Sequence, residues 1–151
     1  MSATADAAMR SMIADMPVPE FTSTPFATPP ELARATVAVV TSAGLTHPGN
    51  WLWGEGDDGF RAYRRGDRDL VVGHQSTNFD RTGVAADLNV AYPLDRLEEM
   101  ATAGAIGAVA PRHLSFTGPI LELTTLRLDT GPAAAQLLVG DEVDVVLLTP
   151  V

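Results

Sequence analysis

Residues 130–148 constrain the fold more than any other stretch. "TGPAAAQLLVG" (130–140) reads as a helix, with a Thr or Gly cap, Pro132 at its start and Gly140 at its end. A strand follows within three residues: "VDVVLL" (143–148) is short, apolar and β-branched, the pattern of a buried strand. A helix that returns directly into a strand is the second half of a crossover unit, so the sheet must be at least partly parallel. This predicts an α/β fold, a partly parallel sheet with flanking helices. It forms a Rossmann-like or flavodoxin-like half, incomplete in itself.

The remaining elements fit around that unit. "ATVAVVTSAG" (35–44) predicts a buried strand breaking at a Gly. "PLDRLEEMATAG" (93–104) is the clearest helix, with Pro93 at its start and Asp95, Glu98 and Glu99 toward the positive end of its dipole. Leu94, Leu97 and Met100/Ala101 share one face, and Gly104 can close it. "FRAYRRGDRDLVVGHQ" (60–75) reads as a hairpin turning at "GDRD", while 47–59 and 76–89 read as loops. Residues 1–16 suit a short Ala/Met helix of a kind that docks on a partner. Residues 17–30 hold five prolines and read as an extended arm. The chain thus divides into an N-terminal helix and arm (1–30) and an α/β domain (31–151).

Charge and composition narrow the functions. At 151 residues, 46% of them apolar, one domain with a real core is expected. The net charge is −9, and all ten basic residues are Arg. Nucleic acid and anionic membrane need a cationic face, so neither is expected as a partner. No apolar run approaches the ~18 residues of a membrane span. No basic head precedes an apolar stretch at the N-terminus, so a cytoplasmic location is expected. With no cysteine in the chain, a thiol nucleophile or a thiolate metal site has no residue to use.

Several motifs weaken on inspection. "GEGDDG" (54–59) matches G-x-G-x-x-G, but it precedes a strand rather than a helix, and its three acids would repel phosphate. His47, His74 and His113 carry no metal-ligand spacing, and no metal is expected. Ser76 and Ser115 lie outside any nucleophile elbow. His74, followed six residues later by Asp80, is either a polar residue at a sheet edge or a substrate contact oriented by that acid. Arg112 and His113, in a loop ahead of an apolar stretch, are a solvated turn or a grip on a carboxylate. Trp51 and Trp53 cover the core or line a pocket.

The segment "DLNVAYPLDRLEEMATAGAIGAVAPRHLSFTGPI" (87–120) goes further. It carries D-x-N at Asp87 and Asn89, P-L-D-R-L at Pro93 to Leu97, a Gly104-Ala105-Ile106-Gly107 segment, and A-P-R-H-x-S-F-x-G at Ala110 to Gly118. With "VAVVTSAGL" (37–45) before it and "VDVVLLTPV" (143–151) after it, the chain resembles the selenoprotein B family of glycine, sarcosine, betaine and D-proline reductases over residues 36–151. His74 with Asp80 resembles that family's H-x(n)-D segment more loosely. The resemblance implies an oxidoreductase that acts on X–H and Y–H to form an X–Y bond with a disulfide as acceptor. It reduces a C–N or related bond at a selenocysteine or cysteine, with electrons from a dithiol protein and no further cofactor. It implies substrate contacts at His74, Asp80, Asn89, Arg112 and His113, and a reactive residue just after a strand ending like "LxPV". That position falls beyond Val151. The expectation is an N-terminal fragment or subunit, ended by a UGA codon or by processing. It would be inactive alone, partnered by a C-terminal half or complementary subunit, a dithiol donor and a small amino-acid-type substrate. A non-catalytic assembly module of the same fold and a small acidic ligand-binding protein are the competing readings.

Overall fold

A computed structural model describes residues 3–15, 20, 22, 27–50, 53–54, 56–74, 81–118, 120 and 123–151. Helix α1 spans Ala3–Ala14, and a 3-10 turn covers Leu32–Arg34. Strands β1 (Thr36–Thr41), β2 (Leu45–Thr46), β3 (Phe60–Arg64) and β4 (Val71–Val72) follow. Then come α2 (Thr82–Ala86), a 3-10 turn (Leu88–Val90), α3 (Leu94–Thr102), β5 (Ala108–Val109) and β6 (Arg112–Phe116). A π-helical turn (Leu126–Thr130) leads into α4 (Gly131–Gly140), and β7 (Val145–Thr149) ends the order. The arm read over 17–30 falls largely outside the described residues.

Strand β1 is the centre. Val37 pairs in parallel with Val109 of β5 on one side and Val145 of β7 on the other; Val40 pairs likewise with Leu114 of β6 and Leu148 of β7. Strand β3 adds antiparallel to the outer side of β6, so β3 and β7 are the edges. Two crossovers of one hand that step in opposite directions must place their helices on opposite faces. The packing has that form. Val37 and Val39 join Leu94 and Leu97 of α3, whereas Ala38 and Leu114 join Ala134 and Leu138 of α4. This is why β1 reads as an unbroken apolar run.

The expected α/β fold, a partly parallel sheet with flanking helices, is therefore present, and four local readings are corrected. Residues 60–75 are not a hairpin, because β3 pairs with β6 while β4 pairs with β2. The turn at Arg64–Asp67 forms, with the Arg64 amide donating to the Asp67 carboxylate at 2.9 Å, but the chain leaves it for a separate small sheet. The described part of the stretch read as loop over 76–89 holds α2 and the start of the Leu88–Val90 3-10 turn. Arg112 and His113 lie in strand β6, not in a loop. Strand β7 is an edge, with Leu148 69% exposed and Val146 and Leu147 partly so, rather than a buried strand. Trp53 belongs to the core; its indole N–H and the Tyr63 hydroxyl both donate to the Leu45 carbonyl, at 2.9 and 2.5 Å.

Two close fits hold the sheet. The first is at Gly107, whose amide donates to the carbonyls of Leu32 and Ala35 at 2.9 and 3.0 Å. A Cβ there would lie 2.4 Å from the Arg34 carbonyl carbon. The constraint is space rather than backbone angle. The second is His113. Between the β5 and β6 pairings β1 advances three residues, from Val37 to Val40, while the partner advances five, from Val109 to Leu114. The slack contains Pro111, which has no N–H. The Val39 amide inside this break donates instead to His113 Nδ1, at 3.0 Å. The imidazole thus replaces a main-chain acceptor, and its proton must sit on Nε2. Burial pushes its pKa down to about 4, so the ring stays neutral and able to accept.

Two outcomes follow. Gly107→Ala should lower stability by about 2–3 kcal/mol in urea unfolding, because either Arg34 or the β5 pairing must shift. For His113, the folded pKa lies below the unfolded value, so its stabilisation is complete above pH ~6.5 and is lost as pH falls from ~6.5 to ~4, by about 3 kcal/mol in total. His74, also shifted down, acts in the same direction. His113→Gln keeps an acceptor for Val39 but cannot titrate. Its stability should fall less steeply than wild type over that window, and equal slopes would show that His113 is not the group responsible.

Candidate functional site

The carboxyl ends of parallel strands are where an α/β sheet presents backbone and side chains to a crevice. Here β1 and β7 both end in threonine, and hydroxyls tie the ends together. Thr41 Oγ1 donates to the Thr149 carbonyl at 3.1 Å and accepts the Ala43 amide at 3.2 Å. Thr149 Oγ1 donates to the Ala91 carbonyl at 2.8 Å, joining the turn before α3 to the same edge. Ser42 Oγ accepts the Val151 amide at 3.0 Å and reaches the Val151 carbonyl at 3.3 Å. Beside this clamp lies a cleft of about 250 Å³, walled by Val40, Phe116, Leu148 and Pro150 with Thr41 and Thr149. Its walls are mostly apolar, suited to excluding water.

His74 reaches the same end by another route. It follows β4 and is 5% exposed. Gly44, with φ of +59°, turns the chain after β1, and a Cβ on it would come within 3.3 Å of the His74 backbone. A Cβ on Gly118, just past β6, would lie 3.4 Å from His74 Nε2. Burial first, and then the Arg81 guanidinium, lower its pKa, so the imidazole is neutral near neutral pH. Arg81 also donates to the His74 carbonyl.

A second, polar cleft of about 480 Å³ lies at the start of α3, lined by Asp67, Arg68, Asp87, Asn89, Tyr92 and Asp95. Asn89 organises it. Its Oδ1 accepts the Asp95 amide at 3.1 Å, capping α3 in place of Pro93, and its Nδ2 donates to Asp87 and Asp95 at 2.9 and 3.1 Å. Asp87 Oδ1 also accepts the Asn89 amide at 2.9 Å, and these two bonds from Asn89 lower the Asp87 pKa. Arg68 pairs with Asp95 at 2.5 Å, and Arg65 makes a two-pronged pair with Glu98.

The sequence-derived residues are not gathered in one pocket. Asn89 lines the polar cleft and His74 stands beside the carboxyl edge. His113 is fully buried under α3, edge-on to the Tyr92 ring at 5.7 Å between centroids. Arg112, its neighbour in the strand, points to the other face and grips Asp141 in a fork, at 2.7 and 2.5 Å. That pairing lowers the Asp141 pKa and occupies the guanidinium edge a substrate carboxylate would use. Asp80 lies outside the described residues, as do Ser76 and Trp51. Sequence reasoning missed Thr41, Ser42, Thr149 and Tyr92. The signal for the hydroxyls was present, since "VVTS" and "LLTP" close two strands alike. Among the described residues no cluster of three or more His, Asp or Glu could hold a metal ion, and no helix is long and apolar enough to cross a membrane.

Comparison with known proteins supplies what geometry does not. The sequence is 35% identical over 123 residues to the D-proline reductase subunit gamma of Acetoanaerobium sticklandii, covering 79% of this chain and 50% of that protein. The chain therefore spans about half the length of the curated relative it matches. No solved structure matches it. Residues 8–151 match the family described as glycine/sarcosine/betaine reductase selenoprotein B, and the chain belongs to that family.

Proposed function

We propose that this chain is one part of a selenol- or thiol-dependent reductase acting on the C–N bonds of small amino-acid-type substrates, and that it is inactive alone. The observation that carries this reading is the carboxyl edge of β1, β6 and β7. It forms a hydroxyl-tied, apolar-walled cleft in a chain without a single cysteine. The names of the relative and of the family, a D-proline reductase subunit and a glycine/sarcosine/betaine reductase selenoprotein B, support the substrate class. The reactive selenium or sulfur is supplied by polypeptide other than residues 1–151 and enters at this edge. A selenol or low-pKa thiol is ionised at neutral pH, and its anion is the nucleophile. Two electrons from a dithiol donor, which becomes a disulfide, and two protons complete the cleavage of the C–N bond. We assign substrate contact to His74, a neutral imidazole able to take or give a proton, and to Asn89. Arg112 and His113 serve the sheet.

The complementing polypeptide docks on β7. Its outer edge carries no strand among the described residues, and Leu148, Leu147 and Val146 expose apolar surface beside it. Such a flat apolar edge invites a further strand. This also favours an assembly role over a self-contained ligand-binding protein.

Two measurements test the reading. The purified protein with dithiothreitol and D-proline, glycine, sarcosine or betaine should show no turnover. Co-expression with the remaining half of a D-proline reductase gamma subunit should restore it. Turnover by the chain alone would place the reactive group within residues 1–151, and none from the reconstituted pair removes the reductase reading. Leu148→Lys should change the stability of the isolated chain by less than about 0.5 kcal/mol yet abolish co-purification with the complement. Undiminished assembly by that variant would move the docking surface elsewhere.

A further inference from the structure

The polar cleft at the start of α3 contains a buried group that the fold does not use. Tyr92 is 3% exposed and forms part of the cleft wall. Its hydroxyl has no hydrogen-bond partner among the described residues. A buried hydroxyl without a partner is destabilising, so a native structure that keeps one calls for an explanation. Of the buried polar groups near it, His113 Nε2 is likewise without a partner among the described residues, but its ring meets the Tyr92 ring at 5.7 Å and does not line the cleft, whereas Tyr92 itself does. The Tyr63 hydroxyl bonds to Leu45, and His113 Nδ1 bonds to Val39.

The surrounding charges are arranged as a pair of opposites. Asp87 commits Oδ1 to Asn89, and Asp67 commits Oδ2 to the Arg64 amide. The second oxygen of each has no partner among the described residues. Arg68 stands on the same wall, tied to Asp95 at 2.5 Å and more loosely to Glu98 at 3.4 Å. A guanidinium has five N–H donors, so these two bonds leave it capacity to donate again. Burial and the nearby Asp67 raise the Tyr92 pKa, so its hydroxyl keeps its proton and is a donor.

We propose that this cleft binds a small zwitterion, an α-amino or N-methylated amino carboxylate. Its cationic nitrogen rests against Asp67 and Asp87, and its carboxylate takes hydrogen bonds from Arg68 and Tyr92. Carboxylates hold a quaternary nitrogen by charge alone, so the site does not require N–H groups on the ligand. A volume of about 480 Å³ accommodates a ligand of this size. The bond from Thr149 Oγ1 to Ala91 ties the turn carrying Asn89 and Tyr92 to the edge where β7 ends. The turn that supplies Asn89 and Tyr92 to the cleft is thereby fixed to the edge where chemistry was assigned above. The inference rests on that reading for its choice of ligand and deepens it.

Calorimetric titration with betaine, and separately with D-proline, tests it directly. Acetate and tetramethylammonium, each carrying one half of the zwitterion, are the controls. The expected result is saturable binding of betaine or D-proline, at least about tenfold tighter than either control. Asp87→Asn and Asp67→Asn should each weaken it about tenfold or more, through loss of a charged partner. Tyr92→Phe should weaken it about fivefold while leaving the melting temperature unchanged or raised, because the hydroxyl it removes has no partner in the free protein. Amide shifts in an NMR titration should centre on residues 87–95. No saturable binding, binding indifferent to all three substitutions, or shifts centred on Ser42 and Thr149 would each overturn the inference. So would a Tyr92→Phe variant that loses melting temperature but not affinity, since the hydroxyl would then be satisfied within the fold. The two readings fail separately. Binding with this pattern alongside a reconstituted pair without turnover sinks only the reductase. Turnover whose KM for D-proline ignores Asp87→Asn and Tyr92→Phe sinks only the zwitterion site.

Discussion

The amide of Val39 donates to the ring of His113, and much of the sheet's form follows from that bond. Strand β1 is covered on both faces and paired along both edges, so any donor it leaves unpaired is sealed from water. The two-residue slack around Pro111 would orphan the Val39 N–H if a neutral imidazole did not fill the gap. The same slack sets the register of β6, bringing Leu114 opposite Val40 and sending Arg112 to the far face to meet Asp141. An electrostatic condition, a histidine that must stay uncharged, is thereby built into the geometry of the core.

With β1 fixed, the topology leaves little freedom. The chain steps out to β6 under α3 and back past β1 to β7 over α4, so the ends of β1 and β7 meet at one edge. Their terminal threonines donate to carbonyls there, and Ser42 accepts the Val151 amide. A loop held in this way loses less entropy on meeting a substrate than a mobile one. This favours the carboxyl edge as a working site even though no residue of the chain supplies a nucleophile.

The parts legible in the sequence were those set by local chemistry. The punctuated helices at α3 and α4 read well because their prolines and glycines are positional, and Gly104, with φ of +73°, does end α3. Strand β1 read well because burial on both faces erases alternation. The misreadings were nonlocal. A turn forms at Arg64–Asp67 as expected, but nothing in residues 60–75 says that β3 will choose β6 over β4. Strand β7 is as apolar as β1, and its sequence cannot tell a covered face from an uncovered one. His113 read as part of a solvated turn or of a carboxylate grip because its role depends on a register break 74 residues from Val39. For the site, the motif at Asp87, Asn89 and Asp95 was visible, whereas its internal bonding and the buried Tyr92 beside it were not.

The two clefts differ in what holds them, and that difference predicts how each behaves. The carboxyl edge is closed by neutral hydroxyl–carbonyl bonds, which salt does not screen. The walls of the polar cleft come from two segments, around Asp67–Arg68 and around Asp87–Asp95. They are joined by ion pairs in which Arg68 and Asp95 are each about half exposed. A single exposed pair contributes little, about 0–1 kcal/mol, and is screened over roughly 8 Å at physiological salt. The second pairing, Arg65 with Glu98, lowers the Glu98 pKa and anchors the same loop one turn further along α3. Raising ionic strength should therefore loosen the 65–69 loop from α3 while leaving the β1–β7 edge intact. Amide hydrogen exchange at 0.05 and 1 M salt distinguishes the two: faster exchange confined to 65–69 and 87–95 supports this division, and equal changes at residues 41–43 and 149–151 contradict it.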